Sequence, residues 1–227
     1  MERPSTMPRP NPLALLSICA AAMATPSGAQ SYDVVLGGRT LGQIALRDAG
    51  SQQRLQANLN NTPFGVFDGS FVATSSDAQA PHVYTGISRS TRKSRDITTI
   101  ASGGRIIETR IAPHDERTAM SDPEAVPKGV LDPVEAFAAF ASTSECPAAL
   151  RFYDGRRVIG ITPEKRMTEG EAVTCSYAYR VEAGPGHLSP LRISSFTLHA
   201  TYAPAGASRG LASLAVKTGP FSLRIER

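Results

Sequence analysis

The stretch LRFYDGRRVIGI, residues 150–161, carries the strongest hairpin signal in the chain. Leu150 to Tyr153 and Arg156 to Ile161 are strand-like runs on either side of the dipeptide Asp154-Gly155. Both turn residues tolerate the positive φ that a type I′ turn requires. The sequence therefore predicts two antiparallel strands joined here by a tight turn.

Short alternating runs broken by turn residues extend this pattern in both directions along the chain. Leu55, Ala57 and Leu59 alternate with polar neighbours, as in a strand with one buried face. Further pairs of strands flank Gly37-Gly38 and Ser102-Gly103-Gly104, and the 227 residues include 19 Gly and 17 Pro. We therefore predict a mainly β fold, a curved antiparallel sheet or half-open β-barrel of about eleven strands.

One segment, residues 132–141, predicts a short helix that covers the sheet. Asp132 suits the N-cap position, and Glu135 occupies the third helical position, from which its carboxylate can bond back to the cap. Phe137 and Phe140 lie about one turn apart and give the helix an apolar face. We expect this face to pack on the sheet, where it either seals a core or lines an apolar groove.

The N-terminal segment has the pattern of a secretory signal peptide. An uncharged apolar run from Leu13 to Ala24 follows two arginines and precedes small residues. This run is shorter than the roughly 20 residues that a helix needs to span a bilayer. We expect cleavage after Ala29, which divides the chain into a signal peptide, 1–29, and a single β-rich periplasmic domain, 30–227.

Export to an oxidising compartment determines how the cysteines are interpreted. Cleavage removes Cys19 and leaves Cys146 and Cys175 as one pair. A zinc site would need His or carboxylate ligands at short spacing, and neither cysteine has them nearby. A structural disulfide between the two is favoured over a metal pair or a catalytic thiol.

The sequence carries no signature of a nucleic-acid partner or of catalysis. The net charge of +4 is small and dispersed along the chain, unlike the basic patch of a nucleic-acid-binding protein. No nucleophile elbow, zinc-protease motif or phosphate loop occurs. We therefore predict a protein that is not an enzyme, with no catalytic residue, no metal ligand and no cofactor.

The four histidines are candidate acids, bases or ligands. His114-Asp115-Glu116 is the densest cluster of such groups, but it stands in a polar loop, and a solvated loop is the favoured interpretation. The remaining histidines are isolated in the sequence and are predicted to be exposed or satisfied locally; they are His82, His187 and His199.

Two groups of basic residues are candidates for contact with anions. The most basic stretch is SRSTRKSR, residues 88–95, and a second group follows the Asp-Gly turn. Either group could contact an anionic lipid headgroup or an acidic glycan. The alternative interpretation is that the basic side chains are simply solvated at a strand end or hairpin tip. The candidates are Arg89, Arg92, Lys93, Arg95, Arg156 and Arg157.

Several motifs follow one another in a characteristic order. They are Tyr32-x-Val34-x-x-Gly37, Leu131-Asp132-Pro133 with the Phe-rich helix, Cys146, Phe152-Tyr153-Asp154-Gly155-Arg156-Arg157 and Cys175-x-Tyr177-x-Tyr179-Arg180. In this order and spacing the chain resembles the bacterial family called domain of unknown function 3108. The resemblance implies an exported Gram-negative envelope protein with a curved antiparallel sheet, similar to the half-open barrels of lipoprotein carriers, and it supplies no active-site residues.

Three functions fit these features. The preferred one is a non-enzymatic protein of the Gram-negative periplasm that binds a lipid or other apolar ligand in a groove of the sheet. The second is an interaction or structural module that supports envelope integrity through protein contacts, and the third and least favoured is a hydrolase. They predict, respectively, an apolar cavity, a filled interior and converging buried carboxylates. The partner is then a lipid or an envelope protein, and the mature chain is not expected to span a membrane.

Overall fold

The structure is a computed structural model that describes residues 28–60, 62, 68–76, 80–187, 193–203, 210–218 and 221–227. Most of the predicted signal peptide lies outside the described residues, and its cleavage stays a prediction. Within the described part, the fold is mainly β, with one antiparallel sheet and one α-helix. The predicted fold class is confirmed.

The described sheet has thirteen strands, so the predicted count of about eleven was too low. Segments rich in serine and threonine show little hydrophobic alternation, yet β4 pairs along its whole length with both neighbours. The strands are β1 (Ala29–Leu36), β2 (Arg39–Asp48), β3 (Gln52–Leu59), β4 (Gly69–Ser76), β5 (His82–Ser90), β6 (Ser94–Ser102), β7 (Arg105–Ala112), β8 (Leu150–Tyr153), β9 (Val158–Glu169), β10 (Ala172–Ala183), β11 (Ser195–Tyr202), β12 (Leu211–Thr218) and β13 (Phe221–Glu226).

The strand order places both ends of the described chain in the middle of the sheet. The order is β7-β6-β5-β4-β3-β2-β1-β13-β12-β11-β10-β9-β8. β1 pairs with β13, with Asp33 opposite Glu226. The sheet is not closed, because β7 and β8 form its two edges. These two strands are consecutive in the chain. Residues 113–149 connect these edges.

The connection begins with three single-turn 3-10 helices, at His114–Glu116, Ala119–Ser121 and Pro123–Ala125. It then links the two edges of the sheet. The N–H of Gly129 donates to the carbonyl of Gly104 in the β6–β7 turn at 2.8 Å, and that of Leu131 donates to the carbonyl of Arg151 in β8 at 2.9 Å. Backbone hydrogen bonds of the connection thus satisfy part of the edge strand β8, which an open sheet would otherwise expose, and reach the turn that precedes the other edge strand, β7.

The connection ends with the helix α1 (Pro133–Ala141), as predicted. The Asp132 carboxylate accepts hydrogen bonds from the N–H groups of Val134 at 2.7 Å and Glu135 at 2.9 Å. The Glu135 carboxylate accepts from the N–H of Asp132 at 2.8 Å. This reciprocal capping box satisfies amides that the helix itself leaves unpaired.

The hairpin at Asp154-Gly155 forms, but its turn is a four-residue loop and not a two-residue type I′ turn. β8 ends at Tyr153 and β9 begins at Val158. The Asp154 carboxylate accepts from the N–H groups of Arg156 and Arg157, at 3.0 and 2.9 Å, and so holds the wider loop. The loop packs on β6, where a Cβ on Gly155 would lie 2.5 Å from the Ile97 side chain.

The core lies on the face of the sheet that α1 covers, which we call the covered face. All six tyrosines of the chain are buried: Tyr32, Tyr84, Tyr153, Tyr177, Tyr179 and Tyr202. Burial raises the pKa of every one of them, to about 12 for Tyr153 and Tyr177. Five of the rings, with aliphatic side chains of both halves of the sheet, form one continuous cluster beneath the helix. The ring of Tyr153 belongs to a second, smaller cluster with Met120 and Val158.

Candidate functional site

The helix face that was expected to seal a core or line a groove packs into the core. Phe140 is 3% exposed, and its ring meets the ring of Tyr177 edge-on with centroids 5.1 Å apart. Phe137 is half-buried and meets Tyr32 edge-on at 5.8 Å. These are favourable aromatic geometries, and side chains of the protein fill the space under α1.

A disulfide holds the segment after the helix on the same face. Cys146 is bonded to Cys175 in β10, with their Cα atoms 5.8 Å apart, so the predicted pairing is confirmed. The hydroxyl of Tyr177 also donates to the carbonyl of Pro147 at 3.2 Å. The covered face is therefore closed by the helix, the aromatic cluster and a covalent bond.

Three of the predicted anion-contact residues surround one carboxylate. Glu116 accepts hydrogen bonds from Lys93 and Arg95, and Arg156 lies 3.2 Å from it. The hydrogen bond from Lys93, together with Arg95 and Arg156, outweighs burial and lowers the Glu116 pKa to about 2. His114 and Asp115 are exposed, in agreement with the predicted solvated loop, whereas the Glu116 side chain is 11% exposed and forms an ion cluster with these cations.

The other predicted anion-contact residues differ in their surroundings. Arg89 forms an ion pair with Asp96, and Arg157 forms one with Asp154 at 2.8 Å. Arg92 is exposed. Contact of any of the six basic residues with a foreign anion stays a prediction, although five of them have carboxylate partners within the chain.

His187 belongs to a buried network that its isolated place in the sequence does not reveal. Burial lowers its pKa to about 4, and the nearby Arg157 adds to this effect. Arg157 donates to Nδ1 of the neutral imidazole at 2.7 Å, so Nε2 carries the proton and faces the Tyr179 oxygen at 2.5 Å. These contacts fix the β8–β9 loop to β10.

His82 lies beside the capping box of α1. Its Nε2 is 2.9 Å from the Asp132 carboxylate and 3.8 Å from that of Glu135. Asp132 is 5% exposed, whereas His82 and Glu135 are partly exposed. Two carboxylates and an imidazole therefore converge at one point where α1 begins.

The face opposite the covered face carries a wide depression of about 870 Å³, which we call the outer trough. In β11, Leu198, Ala200 and Tyr202 point into the core, so the alternate residues His199 and Thr201 point into the trough. It crosses β13, β12, β11 and β10 between the β1–β2 turn and β9. Its lining residues are Leu36, Gly37, Gly38, Met167, Thr174, His199, Thr201, Ser213, Ala215, Lys217, Ser222 and Arg224.

The charged side chains that line the outer trough are all positive. Lys217 and Arg224 are cationic, and the described lining residues include no carboxylate. Partial burial and the nearby Lys217 lower the pKa of His199, so its imidazole is neutral near pH 7. Outside the lining set, Glu226 lies 3.4 Å from Arg224. Small side chains on β10, β11 and β12 keep the floor of the trough open.

Comparison with known proteins provides no relative. The chain matches no protein-family model, no curated protein and no solved structure. The resemblance to domain of unknown function 3108 therefore stays a prediction. In the described part of the chain, no helix has the length and apolar character needed to cross a bilayer.

Proposed function

We propose that this is an exported, non-enzymatic protein of the Gram-negative periplasm that binds an amphiphile with an apolar chain and an anionic headgroup. The observation that supports the proposal is the outer trough, with Lys217 and Arg224 among its lining residues. The disulfide Cys146–Cys175 supports export, because disulfides persist in oxidising compartments.

The ligand site is assigned to the outer trough and not to the covered face. Beneath α1, buried aromatic side chains occupy the place where a lipid chain would lie. The outer trough has a volume within the roughly 300 to 1,000 Å³ that is usual for ligand pockets. Leu36, Met167 and Ala215 offer apolar surface, and Met adapts well to ligands of irregular shape.

The headgroup assignment follows from charge. Lys217 and Arg224 attract an anion, and the neutral His199, which lines the same trough, offers a hydrogen-bonding group without added charge. A carboxylate or phosphate headgroup would lie near these side chains, with its apolar chain along the small residues of β11 and β12. An uncharged amphiphile of the same length would lose this attraction.

The test is native mass spectrometry of protein purified from a Gram-negative periplasm, followed by titration with oleate and with methyl oleate. We expect an intact mass that begins at Gln30, a co-purifying anionic lipid and tighter binding of oleate. Ser213→Trp fills the trough and should weaken oleate binding at least about tenfold, or about 1.4 kcal/mol. Lys217→Gln should weaken the binding of oleate but not that of methyl oleate.

The matched control is Gln56→Trp, which places the same ring at an exposed position of β3 outside the trough. It should leave oleate binding unchanged. Equal loss in both tryptophan variants, or no binding by the unaltered protein, would contradict the amphiphile assignment. A mass that retains the N-terminal segment in cytoplasmic protein would contradict export.

A second candidate is the interaction module. The filled covered face favours it, and so does Ile107, which is 55% exposed on the edge strand β7. If the periplasmic protein carries a stoichiometric protein partner and no lipid, and Ile107→Lys releases that partner, this function replaces the first. The hydrolase is less well supported, because the converging carboxylates Asp132 and Glu135 cap α1.

A further inference from the structure

The cluster of His82, Asp132 and Glu135 has the spacing of a metal site. One ligand atom from each side chain can be chosen so that all three lie within 4.8 Å of one another. Zinc binds nitrogen and oxygen ligands at about 2.0 to 2.2 Å, so tetrahedral ligand atoms lie about 3.3 Å apart. The separations from His82 Nε2, 2.9 Å to Asp132 and 3.8 Å to Glu135, lie on either side of that value.

The capping box orients the two carboxylates toward the histidine. Asp132 uses Oδ1 to accept from two backbone N–H groups of α1, which directs Oδ2 to His82. Glu135 is held in turn by the backbone N–H of Asp132. Hydrogen bonds of this kind commonly fix the ligands of a metal from behind. The local structure that begins the helix therefore also prearranges the donor atoms.

The charge of the cluster suits a divalent ion that accepts nitrogen ligands. A neutral imidazole and two carboxylates carry a formal charge of −2, which a divalent cation balances. The start of a helix carries only about half a positive charge, so the two carboxylates outweigh its repulsion of a cation. Imidazole favours zinc over the oxygen-seeking ions Mg²⁺ and Ca²⁺.

Solvent reaches the cluster from two sides. A cleft of about 360 Å³ is lined by His82 and Glu135 together with the β6–β7 turn. A second cleft of about 350 Å³ has Glu135 on its border, with Asp48 and Ser75 across from it. An ion can enter by either cleft, and a water molecule can complete a fourth coordination position, as in open zinc sites.

From this geometry we infer that the protein binds one Zn²⁺ ion through His82, Asp132 and Glu135. The metal takes the Nε2 lone pair, so in the metal-bound state the neutral imidazole carries its proton on Nδ1. The ion joins β5 to the first turn of α1. This site is independent of the outer trough, which lies on the opposite face of the sheet.

The test is isothermal titration of the untagged, chelator-treated protein with Zn²⁺ at pH 7.5, with Co²⁺ absorption as a second readout. We expect one ion per chain and the visible bands of a four-coordinate Co²⁺ ion. His82→Gln retains a donor for Asp132 but removes the metal ligand, and it should weaken Zn²⁺ binding about 100-fold. Asp132→Asn retains the N-cap and should weaken binding similarly.

The matched control is His114→Gln, which removes an exposed histidine in the first 3-10 helix and should leave Zn²⁺ affinity unchanged. In the unaltered protein, the NMR signals of the His82 imidazole should shift on addition of Zn²⁺, a readout that needs no variant to fold. Absence of binding at about 100 μM Zn²⁺, or equal affinity of His82→Gln and the unaltered protein, would overturn the site.

Discussion

The two halves of the connection between β7 and β8 are attached to the same sheet by different forces. Residues 113–131, the polar half, are held mainly by Glu116 and its cations and by the side chains of Thr118 and Ser121, which donate to carbonyls of the β8–β9 loop. Its one buried apolar anchor among the described residues is Met120, which packs against Tyr153 and Val158. Residues 132–149, the apolar half, are held by Phe137, Phe140 and the disulfide.

This difference has a physical consequence for stability. The burial of aromatic rings stabilises the fold at every pH at which the sheet exists, and so does the disulfide. An ion cluster contributes only while its carboxylate is charged, and salt weakens it where it is exposed. Acid should therefore loosen the polar half first, while the helix remains on the covered face.

The largest loss of stability is expected when the buried Phe140 ring, the main anchor of the apolar half, is removed. Phe140→Ala should lower the free energy of unfolding by about 3 to 5 kcal/mol, because it leaves a cavity beside Tyr177. Phe137→Ala, at the half-buried position on the same helix, should cost less. Urea denaturation measures both. Similar small losses for the two variants would mean that α1 does not seal the core.

The second effect comes from the covalent bond of the apolar half. Replacing both Cys146 and Cys175 by Ser should lower the free energy of unfolding by about 3 to 4 kcal/mol, as the chain-entropy relation gives for a loop of this length. Titration of unreduced, denatured mature protein should detect essentially no free thiol. Two reactive thiols in that titration would refute the bond.

The smallest effect should come from the polar half, and it should depend on pH. The Glu116 pKa is lowered from 4.5 to about 2 in the folded protein. Its stabilisation is therefore fully present above pH 4.5 and is lost as the pH falls from 4.5 toward 2. Glu116→Gln should cost about 1 to 3 kcal/mol at pH 7 and flatten the fall in melting temperature across that window.

Glu124→Gln serves as the matched control, because Glu124 is an exposed carboxylate in the same half of the connection. It should leave both the melting temperature and its pH dependence close to those of the unaltered protein. If Glu116→Gln behaves in the same way, the ion cluster does not hold the polar half.

The features that could be predicted from the sequence are those that depend on residues close together in the chain or on the number of cysteines. Asp132 and Glu135 are three positions apart, so the capping box and its helix are visible in a short window. The disulfide is predicted because the expected cleavage would leave two cysteines. Strand alternation predicts which residues share a face.

The clusters around Glu116 and His82 could not be predicted because their members are distant in the chain. Lys93 lies 23 positions before Glu116, and His82 lies 50 positions before Asp132. No short window of sequence contains these pairs. Lys93 meets Glu116 because β6 pairs with β7, and His82 meets Asp132 because the connection returns across the sheet. The outer trough arises in the same way, from single residues contributed by six neighbouring strands.

The pairing of β1 with β13 also determines how the protein can acquire its structure. The other strand pairs join segments close in sequence, whereas Arg227 and Gln30, 197 positions apart, share a hydrogen bond of 2.8 Å at this seam. Contacts of such long range form late in folding, because the entropy cost of closing a long loop must be met before the contacts can stabilise the chain. Until β13 emerges from the ribosome, β1 is an unprotected edge that can pair with other chains. Synthesis therefore leaves this protein vulnerable to aggregation until β13 has paired.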